Sequence, residues 1–395
     1  MSSVVNKPRT IQQMYKVMIM VTKKLIISGV LSLAVSFSVS VGANNSNIPA
    51  LKDVFKDDFL VGAALSQMQI SGGEPNAIVL VEKHFNSITA ENAMKWSPIH
   101  PEPNKYDFEA ADRLVEFGEK NKMFIIGHTL VWQQQTPRWV FQDPNSGPAD
   151  RETLLARMKD HIFTVVGRYK GRVGGWDVVN EAIDNEGQFR TNRWYNIIGE
   201  EYVAKAFEYA HGADPNAKLY YNDFDMWKSG QVQGVIKLVK GLQAKGLRID
   251  GIGMQGHWGL DYPPLDELEA AIIAFSELGV KLMVTELDIS ILPNPFDNTG
   301  ADIAKMAESR KEMNPYVDGL PDEARQQHDQ RYADIFAVFH KHRDKFSRVT
   351  FWGVHDGHSW RNYWPIRGRI DYPLLFDRQY QPKSTFFAVI KTVQK

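Results

Sequence analysis

The chain repeats one pattern: a short apolar run, a polar or aromatic tip, then an amphipathic stretch. Eight such runs occur: "FLVGAALS" (59–66), "FNSITAENAMKW" (85–96), "MFIIGHTLVW" (123–132), "GWDVVNEAI" (175–183), "AKLYYNDFD" (217–225), "IDGIGMQGHW" (249–258), "KLMVTELDIS" (281–290) and "VTFWGVHDG" (349–357). Between them lie stretches whose apolar residues recur at three- and four-residue steps, as in 108–121, 151–170, 231–246 and 264–279. That period predicts helices, and several of these stretches close on Gly or Asn, which suits a helix C-terminus. Near-continuous apolar strands alternating with helices imply a parallel sheet covered on both faces. Eight such units predict an α/β fold, a single (β/α)8 TIM barrel.

The tips of the runs carry the chemistry. Catalytic residues of such barrels gather at the C-terminal ends of the strands. Polar residues end seven of the runs: Glu91, Asn92 and Lys95; His128 and Trp132; Asn180 and Glu181; Tyr221 and Asn222; Gln255 and His257; Glu286 and Asp288; and Trp352. Glu181 is the most pointed case. It follows the apolar stretch that begins at Trp176, and a buried, unpaired carboxylate is costly. Either it reaches solvent or a cleft uses it. A barrel can bring Glu181 and Glu286 across one cleft, and paired carboxylates facing a cleft can cleave a glycosidic bond, one attacking the anomeric carbon and one protonating the leaving oxygen. The charge of the nucleophile is expected to raise the pKa of the acid. Asn180 is placed to hold a sugar hydroxyl, and His257 with Asp288 to orient Glu286. Trp352 and Trp360 can roof the reacting sugar, and Glu91, Asn92 and Lys95 can bond hydroxyls further along a chain. Each residue also has a plainer reading: a surface acid, a satisfied structural histidine, a core tryptophan.

Composition narrows the classes. A formal net charge of −1 gives no electrostatic case for a nucleic-acid or anionic-membrane partner. The absence of cysteine excludes disulfides, thiol catalysis and Cys-type zinc sites. The histidines show no metalloprotease spacing; "HDGH" (355–358) lacks the glutamate and the helix such a site needs. No metal or cofactor is expected. The N-terminus carries Lys23 and Lys24 before an uncharged stretch, 25–43, that ends in the small residues Val41 and Ala43. This predicts a signal peptide cleaved after Ala43, with export to the periplasm or medium and no membrane attachment thereafter. An uncleaved anchor is the alternative. The first start codon is doubtful, since Met18 or Met20 would give a more ordinary leader. Residues 44–395 are then one catalytic domain, expected to be a monomer, with no separate carbohydrate-binding module.

Taken together, "ITAENAMKW", "GHTLVW", "WDVVNEAI", "ADPNAKLYYNDF", "DGIGMQGHW", "VTELDI" and "TFWGVHDGHSW" resemble family 10 of the glycoside hydrolases, the endo-β-1,4-xylanase family, in its order and across about 51–394. The resemblance implies that Glu181 is the acid/base and Glu286 the nucleophile, with retention of configuration. It implies glycone-side contacts from Glu91, Asn92, Lys95, His128, Trp132, Gln255, Trp352 and Trp360. Asn180 and His257 carry over as assistants at the reacting sugar, and Tyr221 as an aromatic on the leaving-group side. Xylan and xylo-oligosaccharides are the implied partners. One departure is Gln133, where the family usually has histidine. Arg361, Arg367 and Arg369, in the long last loop, are candidates either for acidic xylan decorations or for structural pairing with nearby Asp. The rival functions are a non-catalytic xylan-binding protein and a barrel hydrolase of another β-1,4-glycan.

Overall fold

The computed structural model describes residues 48–143, 147–294 and 311–394; the expected signal segment and its cleavage point lie outside the described residues. Eight parallel strands follow one another around a closed sheet: β1 (Leu60–Leu65), β2 (Ser87–Ala90), β3 (Phe124–Val131), β4 (Gly175–Asn180), β5 (Lys218–Asp223), β6 (Gly251–Met254), β7 (Lys281–Ser290) and β8 (Phe346–Phe351). β8 pairs with β1 on one side and β7 on the other, which closes the barrel. A short strand, His257–Gly259, adds to the upper part of β7, with His257 opposite Asp288.

One long helix follows each strand: α1 (Pro75–His84), α2 (Glu109–Lys120), α3 (Arg151–Arg168), α4 (Glu201–Ala213), α5 (Ser229–Ala244), α6 (Leu265–Ser276), α7 (Asp322–Lys341) and α8 (Ser384–Lys391). In α3 the buried Leu154, Leu155, Met158, Ile162, Val165 and Val166 fall at helical spacing and cover the sheet. Each such side chain contributes about 1.5–3 kcal/mol by leaving water. Asp150 caps this helix, accepting the Thr153 amide at 2.7 Å, a contact worth ~1 kcal/mol. Neighbouring strands approach closely where a side chain is missing. A Cβ on Gly127 of β3 would lie 2.0 Å from the Trp176 ring of β4.

The expected strands 59–66, 123–132, 175–183, 217–225 and 281–290 agree with β1, β3, β4, β5 and β7 to within a few residues. The eighth begins earlier than the expected 349, at Phe346. The residue that hid its start is Arg348, a charge inside an apolar run, yet 2% exposed. Its guanidinium lies over the Tyr220 ring at 4.7 Å and 3.7 Å from the Asp177 carboxylate. Asp177 also takes a hydrogen bond from His128 Nδ1 at 3.0 Å. The barrel interior therefore holds a paired ionic layer beneath its catalytic end.

Candidate active site

The first carboxylate stands at the end of β4. Glu181 is 3% exposed, and three neutral side chains donate to it: Trp132 Nε1 to Oε2 at 2.7 Å, Gln255 Nε2 to Oε1 at 3.0 Å and Asn180 Nδ2 to Oε1 at 3.2 Å. Burial pushes its pKa up to about 7, and the negative charge of Asp223 adds to that. The expected source of this push was Glu286; the neighbouring charge responsible is instead Asp223, because the β4–β5 pairing brings that residue under the turn after β4. At neutral pH a large part of Glu181 keeps its proton.

The second carboxylate stands on β7. Glu286 is 5% exposed. Asn222 Nδ2 donates to its Oε1 at 2.8 Å, and His257 Nε2 lies 3.2 Å from its Oε2. Burial alone would raise its pKa, but the His257 hydrogen bond and the charges of His128, His257 and Lys95 more than offset it, leaving Glu286 below the ordinary value. His257 is itself held as a cation. Burial opposes its charge, yet Asp288 and Glu286 raise its pKa to about 9. With the ring protonated, Nδ1 donates to Asp288 Oδ1 at 3.0 Å and Nε2 to Glu286. Asp288 is fixed in turn by Trp360 Nε1 at 2.6 Å and Arg361 Nε at 2.7 Å.

Asn222 joins the two halves. Thr285 Oγ1 donates to its Oδ1 at 2.6 Å, which turns its amide hydrogens toward Asn180 Oδ1, at 2.9 Å, and Glu286. The register pairs Asn180 with Asn222 and Asn222 with Gly253. A Cβ on Gly253 would come within 2.4 Å of Asn222 Oδ1, so only glycine leaves that amide its place.

Both glutamates open onto one recess, which is also lined by Glu91, Asn92, Lys95, His128, Trp132, Gln135, Asn180, Gln255, His257, Trp352 and Trp360. The ammonium of Lys95 lies over the rings of Trp132, at 4.9 Å, and Trp352, at 5.9 Å. Burial lowers its pKa, although Glu286, Glu91 and Glu181 favour its charge. Burial raises the pKa of Glu91. The strand-tip residues named from the sequence, with Trp360, thus meet in this recess except Asn222, which lies beneath the two glutamates, Asp288 and Tyr221. Asp288 sits behind His257, as its orienting role requires. Tyr221 is the correction: it is fully buried, and its hydroxyl is engaged by Asp223 and by the amides of Ala182 and Ile183, so it presents no ring face to a leaving group. Its alternation along β5 turns it away from the side on which Asn222 meets Asn180 and Glu286. Gln135 on the recess wall, and Asp223 and Arg190 behind Glu181, are the residues that sequence reasoning missed. The polar tip "ND" after "YY" was the available signal for Asp223; Arg190 lies in a loop and gave none.

The arginines of the last loop divide. Arg361 is buried against Asp288, which fits the structural alternative. Arg369 is buried too and donates to the Pro293 carbonyl at 2.8 Å, while Arg367 is exposed.

The sequence comparisons agree with this geometry. The glycosyl hydrolase family 10 model matches residues 50–392. A protein named endo-1,4-beta-xylanase A from Xylanibacter ruminicola is 47% identical over 351 residues, covering 89% of this chain and 95% of its own. A solved family 10 endoxylanase from a sugarcane soil metagenome has a TM-score of 0.84 at 43% identity, covering 87% of this chain and 99% of its own. A mutant structure in complex with xylotriose has a TM-score of 0.77 at 37% identity, covering 87% and 99%. With a closed eight-stranded parallel barrel and two buried glutamates at its strand ends, this chain belongs to glycosyl hydrolase family 10.

Proposed function

We propose that the protein is a retaining endo-β-1,4-xylanase that cuts internal bonds of xylan through a covalent glycosyl-enzyme intermediate. The observation that carries this reading is two buried glutamates in one recess with opposite surroundings, Glu181 among the neutral donors Trp132, Gln255 and Asn180 and Glu286 against His257, which raises the proton affinity of the first and lowers that of the second. A carboxylate kept ionised can attack, and a carboxyl kept protonated can donate.

In the first step a Glu286 oxygen attacks the anomeric carbon, and the glycosidic bond breaks as Glu181 gives its proton to the leaving oxygen. In the second, Glu181, now ionised, takes a proton from water. The hydroxide oxygen attacks the same carbon and releases Glu286 as a carboxylate. Two inversions give retention. The cation of His257 stabilises Glu286 as it starts and ends the cycle charged. Asn180 bonds the sugar 2-hydroxyl, and Glu91, Asn92, Lys95, His128 and Gln255 bond hydroxyls on the glycone side. Trp132, Trp352 and Trp360 pack against the sugar faces. We further propose that the chain acts as a monomer and that it is exported by the 25–43 segment and cleaved after Ala43; Lys23 and Lys24 before the segment, its uncharged core and its small-residue end support the export.

The test is hydrolysis of xylohexaose by the wild type and by Glu286→Ala, with the anomer of the fresh product read by NMR. Internal cleavage to β-anomers, lost in the variant, is expected. Tight binding of the oligosaccharide without cleavage by the wild type would instead favour the binding-protein alternative.

A further inference from the structure

Glu181 holds a left-handed backbone, with φ 60°. That region is uncommon for a residue other than glycine. Such a conformation is strained and persists only where the surroundings enforce it. The surroundings here are specific. The Glu181 amide donates to the Asn222 carbonyl at 2.9 Å. The next two amides, of Ala182 and Ile183, both donate to the Tyr221 hydroxyl oxygen at 3.0 Å. That hydroxyl donates in turn to Asp223 Oδ2, which also accepts the Ile183 amide at 3.2 Å. Asp223 Oδ1 accepts the Phe224 amide at 2.9 Å and Arg190 Nη2 at 3.3 Å. Asp223 is fully buried and meets donors at both oxygens, the arrangement an ionised carboxylate requires. Arg190 is held above the Phe224 ring at 4.3 Å. None of the three, Tyr221, Asp223 or Arg190, lines the recess that Glu181 enters.

We propose that Tyr221, Asp223 and Arg190 form a positioning unit for the acid/base: Tyr221 and Asp223 clamp the turn that aims Glu181, and the Asp223–Arg190 pair sets the charge its carboxyl meets. The proposal rests on the assignment of Glu181 as acid/base. It gives Tyr221 a role behind the site in place of the leaving-group contact. The titratable or charged groups around Glu181 are Asp223 and Tyr221 from β5, Arg190 from the segment after β4 and Lys95 from beyond β2. Glu286 faces the same recess from β7. Tyr202 of α4 faces Asp223 from the outer side. Burial, opposed by Arg190 and the donated hydrogen bonds, leaves Asp223 above its own ordinary value.

The experiment compares Asp223→Asn, Arg190→Met and Tyr221→Phe with the wild type, each variant first checked for a cooperative thermal transition. The readout is kcat/KM against pH on two aryl β-xylobiosides. Dinitrophenolate leaves without protonation; phenolate needs the acid. On the phenyl substrate, Asp223→Asn is expected to move the alkaline limb to lower pH, since losing a negative neighbour makes Glu181 easier to ionise. Arg190→Met is expected to move it to higher pH. Tyr221→Phe removes the hydroxyl that accepts the Ala182 and Ile183 amides and donates to Asp223; it is expected to lower the phenyl rate roughly tenfold or more and to leave the dinitrophenyl rate within about twofold. Equal losses on both substrates with unmoved limbs would overturn the proposal and leave the three residues a purely structural part. Arg190 is partly exposed, so its variant keeps the test open should Asp223→Asn fail to fold. An unchanged alkaline limb in Glu181→Gln would overturn the acid/base assignment itself, a separate failure.

Discussion

The two sides of the cleft bury the same side chain and give it opposite properties. On the β4–β5 side, Glu181 meets neutral donors and, behind them, the carboxylate of Asp223. On the β7 side, Glu286 meets the protonated His257 and the charges of His128 and Lys95. Burial pushes both carboxyls up; the difference lies in the sign of what surrounds them. That difference, more than depth, makes one glutamate an acid and the other a nucleophile.

The sharpest way to break the comparison is to remove its charged member. Glu286→Ala is expected to lose activity on all xylosides, by on the order of 10⁶-fold, as covalent catalysts do without their nucleophile; steady-state rates on an activated aryl xylobioside measure this. Removing the acid should be gentler and selective. Glu181→Ala is expected to cost about 10²–10⁴-fold on xylan and phenyl glycosides. Its dinitrophenyl rate should be far less affected in the first step, and a burst of dinitrophenolate would show the deglycosylation step slowed.

Exchanging the environment rather than the glutamate should have a smaller effect. In His257→Gln a neutral amide replaces the cation beside Glu286. The carboxylate then loses stabilisation of its charged form, its pKa rises, and the acid limb of kcat/KM moves to higher pH. The rate at the optimum is expected to fall about 10–100-fold, the scale of one hydrogen bond to a charged group. The smallest effect on the comparison is expected from the ionic layer below. Arg348→Met leaves Asp177 with His128 as its remaining partner and should cost about 1–3 kcal/mol of stability in a denaturant melt, with both pH limbs unmoved.

Much of this was legible in the chain. The apolar runs and their polar tips gave the barrel, its strand order and nearly every residue of the recess, because parallel strands buried on both faces leave polar residues little place except the ends. The comparisons bear out family 10 membership and the α/β barrel. What stayed hidden depends on pairing across strands. Arg348 obscured the start of β8 because its partner Asp177 lies on β4, far away in sequence. The family resemblance implied Tyr221 as an aromatic on the leaving-group side, but alternate residues of a strand face opposite ways, and Tyr221 packs behind the site against Asp223. Nor did any local pattern tie Arg190, in a loop, to Asp223 on β5. The Asp223 charge under Glu181 is a product of the β4–β5 register.

The most direct measurement is a ¹³C NMR titration of the free enzyme labelled at the glutamate carboxyls, with Glu181→Gln and Glu286→Gln assigning the two signals. The expected result is Glu181 titrating near pH 7 and Glu286 below the ordinary carboxylate value of 4.5. Both signals titrating together near that ordinary value, or in the reverse order, would contradict the account.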